Sequence, residues 1–135
     1  MTHATLDQQK PVDNDQMPCY HAFNAFITSL AQNDVERSKA DAVCDLIHDV
    51  EMDIITRVEE GHDKYGVYLK PFNGRCALTD TYQEILDACL YYTQHAMEQN
   101  DGAPDALLKP EHSKTIGLLA ALAVEFREQL KKKWG

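Results

Sequence analysis

Apolar side chains recur at spacings of three and four residues in four stretches of the chain, separated by polar segments that hold most of its Pro and Gly. Tyr20, Phe23, Phe26, Ile27 and Leu30 form the first stripe, with Pro18 where a first turn tolerates it, and predict a helix over about residues 18 to 32. Asn33 followed by Glu36 resembles a capping box. Val43, Leu46, Ile47, Val50, Ile54 and Val58 then carry a long second helix to about residue 60, with Gly61 as its expected end. The segment "KPFNGR" contains Pro71 and Asn73-Gly74, both turn formers, and predicts a connecting loop. Thr79 is the expected cap of a third helix, in which Tyr82, Ile85, Leu86, Cys89, Leu90, Thr93 and Met97 cover one side. Asp80, Glu84, Asp87 and Tyr91 line the other.

A second loop, "NDGAPDALLKPEH", leads to Ser113, the expected cap of a fourth helix whose closing "KKKW" complements its dipole. Within it "IGLLAALAV" is apolar all round, and a helix of that kind needs cover on every side. In a four-helix protein this small, the cover expected is a second subunit. Residues 1 to 17 are polar and read as a mobile arm, and residues 18 to 135 as a single all-α domain. A chain of 135 residues buries about two-thirds of its unfolded surface, which suffices for one core.

Composition supports helices over a turn-rich β architecture, with only six Gly and five Pro. The longest apolar run, Ile116 to Val124, is far short of the roughly 18 residues of a membrane span, and the first residues lack the basic and apolar regions of an export signal. A cytoplasmic protein without a membrane partner is expected. Cys19, Cys44, Cys76 and Cys89 form no Cys-x-x-Cys pair and read as free thiols, and His21, His48, His95 and His112 show no ligand spacing. A net charge of -9 opposes binding to a nucleic-acid polymer, yet a triphosphate arriving as its magnesium complex reverses the local sign of an acidic site.

The acids are unusually placed. Asp41, Asp45, Asp49 and Asp53 follow at four-residue steps with no Lys or Arg over residues 40 to 56, although like charges so spaced repel by a few tenths of a kcal/mol per pair. No Lys or Arg lies between Arg75 and Lys109, where Asp80, Glu84 and Asp87 stand. Glu60-x-x-Asp63 is followed after twenty residues by Glu84-x-x-Asp87. Two such pairs on antiparallel helices can point four carboxylates into one groove, and oxygen-only ligands suit magnesium or manganese.

In these motifs the chain resembles the all-α, MazG-like nucleoside triphosphate pyrophosphohydrolases, whose pattern is Glu-Glu-x-x-Glu on one helix and Glu-x-x-Asp on a following one. "EEGHD" (Glu59, Glu60, Asp63) and "QEILDACLYY" (Glu84, Asp87) stand in those places, and "DKYGVYLKPFNGR" before "YQEILDA" is similar to small phage-borne members. The resemblance covers about residues 45 to 98. It implies a bundle of helices from two subunits, as a homodimer or homotetramer, and hydrolysis of a nucleoside triphosphate, with a deoxy substrate favoured, to monophosphate and pyrophosphate. Mg2+ or Mn2+ would be held by Asp53, Glu60, Asp63, Glu84 and Asp87, with Glu59 or Glu60 taking the proton. Gly61 falls inside the first motif, whose last acid is Asp in place of Glu, so Asp49 and Asp53 are alternative ligands from the same helix.

Four residues are candidates for the substrate. Arg75 and Lys64 flank the loop and suit phosphate oxygens, Asn73 suits a base or sugar edge, and Tyr91 suits stacking on a base. Solvated cation, turn former and helix-flank packing are their respective ordinary roles. Two other functions fit parts of the sequence. His62-Asp63, with His48 and with Asp80 or Asp87, imitates the metal set of HD-type phosphohydrolases, and an acidic helical protein that binds a host partner or a nucleotide needs no turnover at all.

Overall fold

The computed structural model describes residues 8–34 and 40–134, and among them it is all-helical, with four α-helices and no strand. These are α1 (Cys19–Asp34), α2 (Ala40–Tyr65), α3 (Ala77–Glu98) and α4 (Pro110–Trp134), and a short 3-10 helix, Pro104–Leu108, precedes α4. None of the described helices is long and apolar enough to cross a membrane. The chain divides into two compact units, one formed by Gln9–Arg75 and the other by the chain from Cys76 onward together with Gln8.

In the first unit, Ile47, Ile54 and Val58 of α2 follow one another at helical spacing on its less exposed stripe, and Tyr20, Asn24 and Ile27 do so on α1. Leu46, Val50, Phe23 and Phe26, assigned by spacing to the same stripes, remain exposed. Asn33 does not cap α2, because it lies in the last turn of α1; Glu36 falls outside the described residues. Nor does α2 end at Gly61. It runs to Tyr65 and stops at Gly66, whose φ of 77° is left-handed and whose N–H donates to the His62 carbonyl at 2.8 Å. A Cβ on Gly61 would meet nothing within 4 Å. Gly61→Ala should therefore stabilise the protein by about 0.5–1 kcal/mol, read from chemical denaturation.

The C-terminal end of α2 is fixed by aromatic contacts. The His62 ring stacks on Tyr68 at 4.2 Å between centroids, and Tyr20 of α1 lies 5.9 Å from Tyr68. The Cys19 N–H, left without an intrahelical partner at the start of α1, donates to the Leu69 carbonyl at 2.8 Å. Residues 9–14, read from composition as part of a mobile arm, run along the 69–75 loop. Val12 N–H donates to the Asn73 carbonyl at 2.8 Å, and Asn14 Nδ2 donates to the carbonyls of Pro71 and Phe72 at 2.9 and 3.1 Å.

The second unit packs α3, the 3-10 helix and α4 together. His112, Ile116, Leu119, Ala123, Phe126 and Leu130 form the inward stripe of α4, against Tyr82, Ile85, Cys89, Thr93 and Ala96 of α3. Ala96, Ala106 and Leu130 are fully buried. Buried His112 finds the Tyr92 hydroxyl at 3.4 Å from its Nδ1, as a core histidine should. Neither expected cap holds. Cys76 is the N-cap of α3 and Thr79 is buried in its first turn; Pro110 opens α4, with Ser113 already inside. Proline is preorganised for a first turn, so α4 starts four residues earlier than a serine cap would set it. Cys19, Cys76 and Cys89 are free thiols.

Candidate functional site

Because α2 continues through Gly61, its acids share one helical register. At about 100° per residue, Asp49, Asp53, Glu60 and Asp63 fall within a sector about 80° wide, along about 21 Å of axis. All four are exposed. Glu60 is paired with Arg57 one turn earlier, Nη1 to Oε2 at 3.2 Å, an exposed pair of small energetic weight. Glu59 accepts from the Tyr68 hydroxyl at 3.4 Å. Removal of water around Tyr68 raises its hydroxyl above the ordinary range, and the Glu59 charge raises it further, so Tyr68 stays protonated and can only donate to that carboxylate.

On α3, Glu84 and Asp87 are exposed one turn apart, and no hydrogen bond or ion pair engages them among the described residues. Asp80, nearer the helix start, accepts from Gln8 Nε2 at 2.8 Å. Tyr91 continues the same face and is 69% exposed, open to a stacking partner.

Among the described residues, no group of three or more His, Cys, Asp or Glu is gathered to hold a metal ion. What each helix offers is an exposed carboxylate pair of the Glu-x-x-Asp type. That is the donor set suited to magnesium brought by a nucleotide, since such ions keep several waters and bind through one or two carboxylates plus substrate phosphates. The HD-type reading finds less support, because the His62 ring is stacked on Tyr68 while His48 stands exposed.

The loop residues are more engaged than their sequence suggests. Asn73 is buried, and its Oδ1 accepts from the Arg75 N–H at 3.1 Å, the contact of a turn former. Arg75 donates from Nη1 to the Gln9 carbonyl at 2.6 Å. Lys64 lies with its ammonium 5.2 Å from the centre of the neighbouring Tyr65 ring. Two polar residues escaped the sequence reading. Glu51 is half-buried on the inward stripe of α2, with Thr28 Oγ1 at 3.5 Å. Lys70 bridges to Asp13 at 2.9 Å with its side chain only 17% exposed. The spacing of Glu51 after Ile47 and before Ile54 was a usable signal for the first; nothing local marks the second.

The hydrogen bond from the Lys70 ammonium, backed by the Asn14 N–H, holds the Asp13 carboxyl below the usual carboxylate range. A depressed carboxyl stabilises the folded state above its unfolded value, near 4, and that contribution is lost as pH falls through the lower folded value. Asp13→Asn should thus lower the melting temperature at pH 7 and flatten its decline below about pH 4.

No protein-family model, curated protein or solved structure matches this chain.

Proposed function

We propose that this protein hydrolyses a nucleoside triphosphate, delivered as its magnesium complex, to the monophosphate and pyrophosphate. The observation that supports it is the unbroken α2. With Gly61 inside the helix, Glu60 and Asp63 stand one turn apart on a regular element, as Glu84 and Asp87 do on α3; the second pair takes the form found in MazG-like pyrophosphohydrolases, and the first takes it with Asp63 in place of the final Glu. Manganese suits the same oxygens.

Glu60 with Asp63 on α2, and Glu84 with Asp87 on α3, are each assigned to a cation that accompanies the phosphates; Asp53 and Asp49 remain on the same face of α2. The magnesium would neutralise phosphate charge and make the phosphorus easier to attack. Glu59 is assigned the proton of the attacking water, because Tyr68 donates to one of its oxygens and holds it in place. Arg75 and Lys64 are assigned to phosphate oxygens and Tyr91 to the base. The proposal includes self-association through exposed apolar side chains of α3 and α4, among them Leu90 and Leu118.

Screening the common and deoxy triphosphates with magnesium or manganese tests the reaction. Pyrophosphate is the expected product; intact tripolyphosphate or stepwise phosphate release would favour the HD-type reaction. Magnesium at millimolar concentration should also raise the melting temperature, since a ligand of the native state alone stabilises it. An unmoved melting temperature together with no turnover would favour a binding protein.

A further inference from the structure

Residues 9–14 lay a row of acceptors along the 69–75 loop, and the two cations of that loop take them. The Arg75 guanidinium donates to the Gln9 carbonyl at 2.6 Å, and the Lys70 ammonium donates to Asp13 Oδ1 at 2.9 Å and to the Asn14 carbonyl at 2.7 Å. The Lys70 side chain is 17% exposed, so its charge is withdrawn from most of its water and needs these partners. The loop backbone is shaped to seat the segment. Gly74 has a φ of 86°, its carbonyl accepts from Gln9 Nε2 at 3.1 Å, and a Cβ there would lie 1.9 Å from that same nitrogen. Phe72, left-handed at φ 60° and not a glycine, is strained, and Asn14 Nδ2 holds its carbonyl and that of Pro71.

One carboxylate and two carbonyl oxygens set against one ammonium and one guanidinium is the acceptor chemistry a phosphate chain offers to a Lys and an Arg. We propose that Lys70 and Arg75 form a polyphosphate-binding site and that residues 9–14 occupy it as an internal competitor, which the ligand must displace. This rests on the phosphate role assigned to Arg75 above, and it adds Lys70 and the occupying segment. Occupation lowers the apparent affinity by the fraction of molecules in which the cations are released, so loosening the segment tightens binding.

The test is calorimetric titration of the full chain with inorganic tripolyphosphate, without metal. Asp13→Ser should bind about fivefold tighter than the parent or better. Adding Lys70→Gln to that variant should abolish the gain. Asp15→Ser removes an equal charge from an exposed position two residues away and should leave the affinity as in the parent. Gln9→Gly, which loosens the other end, should also tighten binding, and it guards against a fold defect peculiar to Asp13→Ser. A bridge that is only structural predicts a lower melting temperature in Asp13→Ser and no tighter binding; that result, or a gain that survives Lys70→Gln, overturns the proposal. Triphosphate turnover is scored separately. Absent turnover with the tripolyphosphate gain intact would remove the hydrolase reading alone, and turnover without the gain would remove this site alone.

Discussion

Glu84→Gln and Asp87→Asn should each leave α3 folded and abolish most triphosphate turnover. The expected loss is about a hundredfold or more, because even groups that only support a metal ligand cost about ten- to a hundredfold when changed. Both carboxylates are exposed, one turn apart, and the sequence places no Lys or Arg between Arg75 and Lys109 to neutralise them. Each substitution keeps the side chain's shape and removes the charge that a hard cation requires. Without metal the variants should be as stable as the parent or slightly more so, since repulsion between Asp80, Glu84 and Asp87 amounts to a few tenths of a kcal/mol per pair. A solvated helix face predicts a different outcome: both variants would release pyrophosphate at the parental rate and respond to magnesium as the parent does. Pyrophosphate release and thermal shift, each with and without magnesium, separate the two outcomes.

The helices were legible in the sequence because their apolar positions repeat locally, and their ends were not. Gly61 carries a cost of about 1 kcal/mol in a helix interior, which argued for a boundary. The helix crosses it because His62 stacks on Tyr68 one residue further and Gly66 supplies the left-handed stop. Thr79 and Ser113 are good capping residues in the wrong places, since Cys76 and Pro110 start those helices earlier. The acidic pairs of the candidate site were legible for the same local reason: three-residue spacing on a helix is visible in one dimension. The engagement of Arg75 and Lys70 was not. Their partners lie 56 to 66 residues away, and a backbone carbonyl such as that of Gln9 or Asn14 leaves no mark on side-chain pattern.

A second large effect is expected from Leu118→Lys combined with Leu122→Lys, which should abolish the proposed self-association and leave a monomer. The inward stripe of α4 is completed by Ile116, Leu119, Phe126 and Leu130, yet Leu118, Leu122 and Val124 stay 60%, 42% and 68% exposed. On α3, Leu86 and Leu90 were expected on the inward side and are exposed as well, so the apolar stripes are broader than this packing covers. Each large apolar side chain moved fully out of water is worth about 1.5–3 kcal/mol. Losing two from an interface therefore weakens association by roughly two to four powers of ten, before the added cost of desolvating two ammonium groups. The melting temperature should fall with it, because an assembly that binds only the folded chain stabilises that chain by mass action. Leu108→Lys serves as the control: Leu108 is 82% exposed, lies in the 3-10 helix outside α3 and α4, and should leave the assembly intact. Sedimentation velocity at micromolar concentration reads both variants. A parent that sediments as a single monomeric species would overturn the assembly, and a double variant that stays associated would place the interface on other side chains.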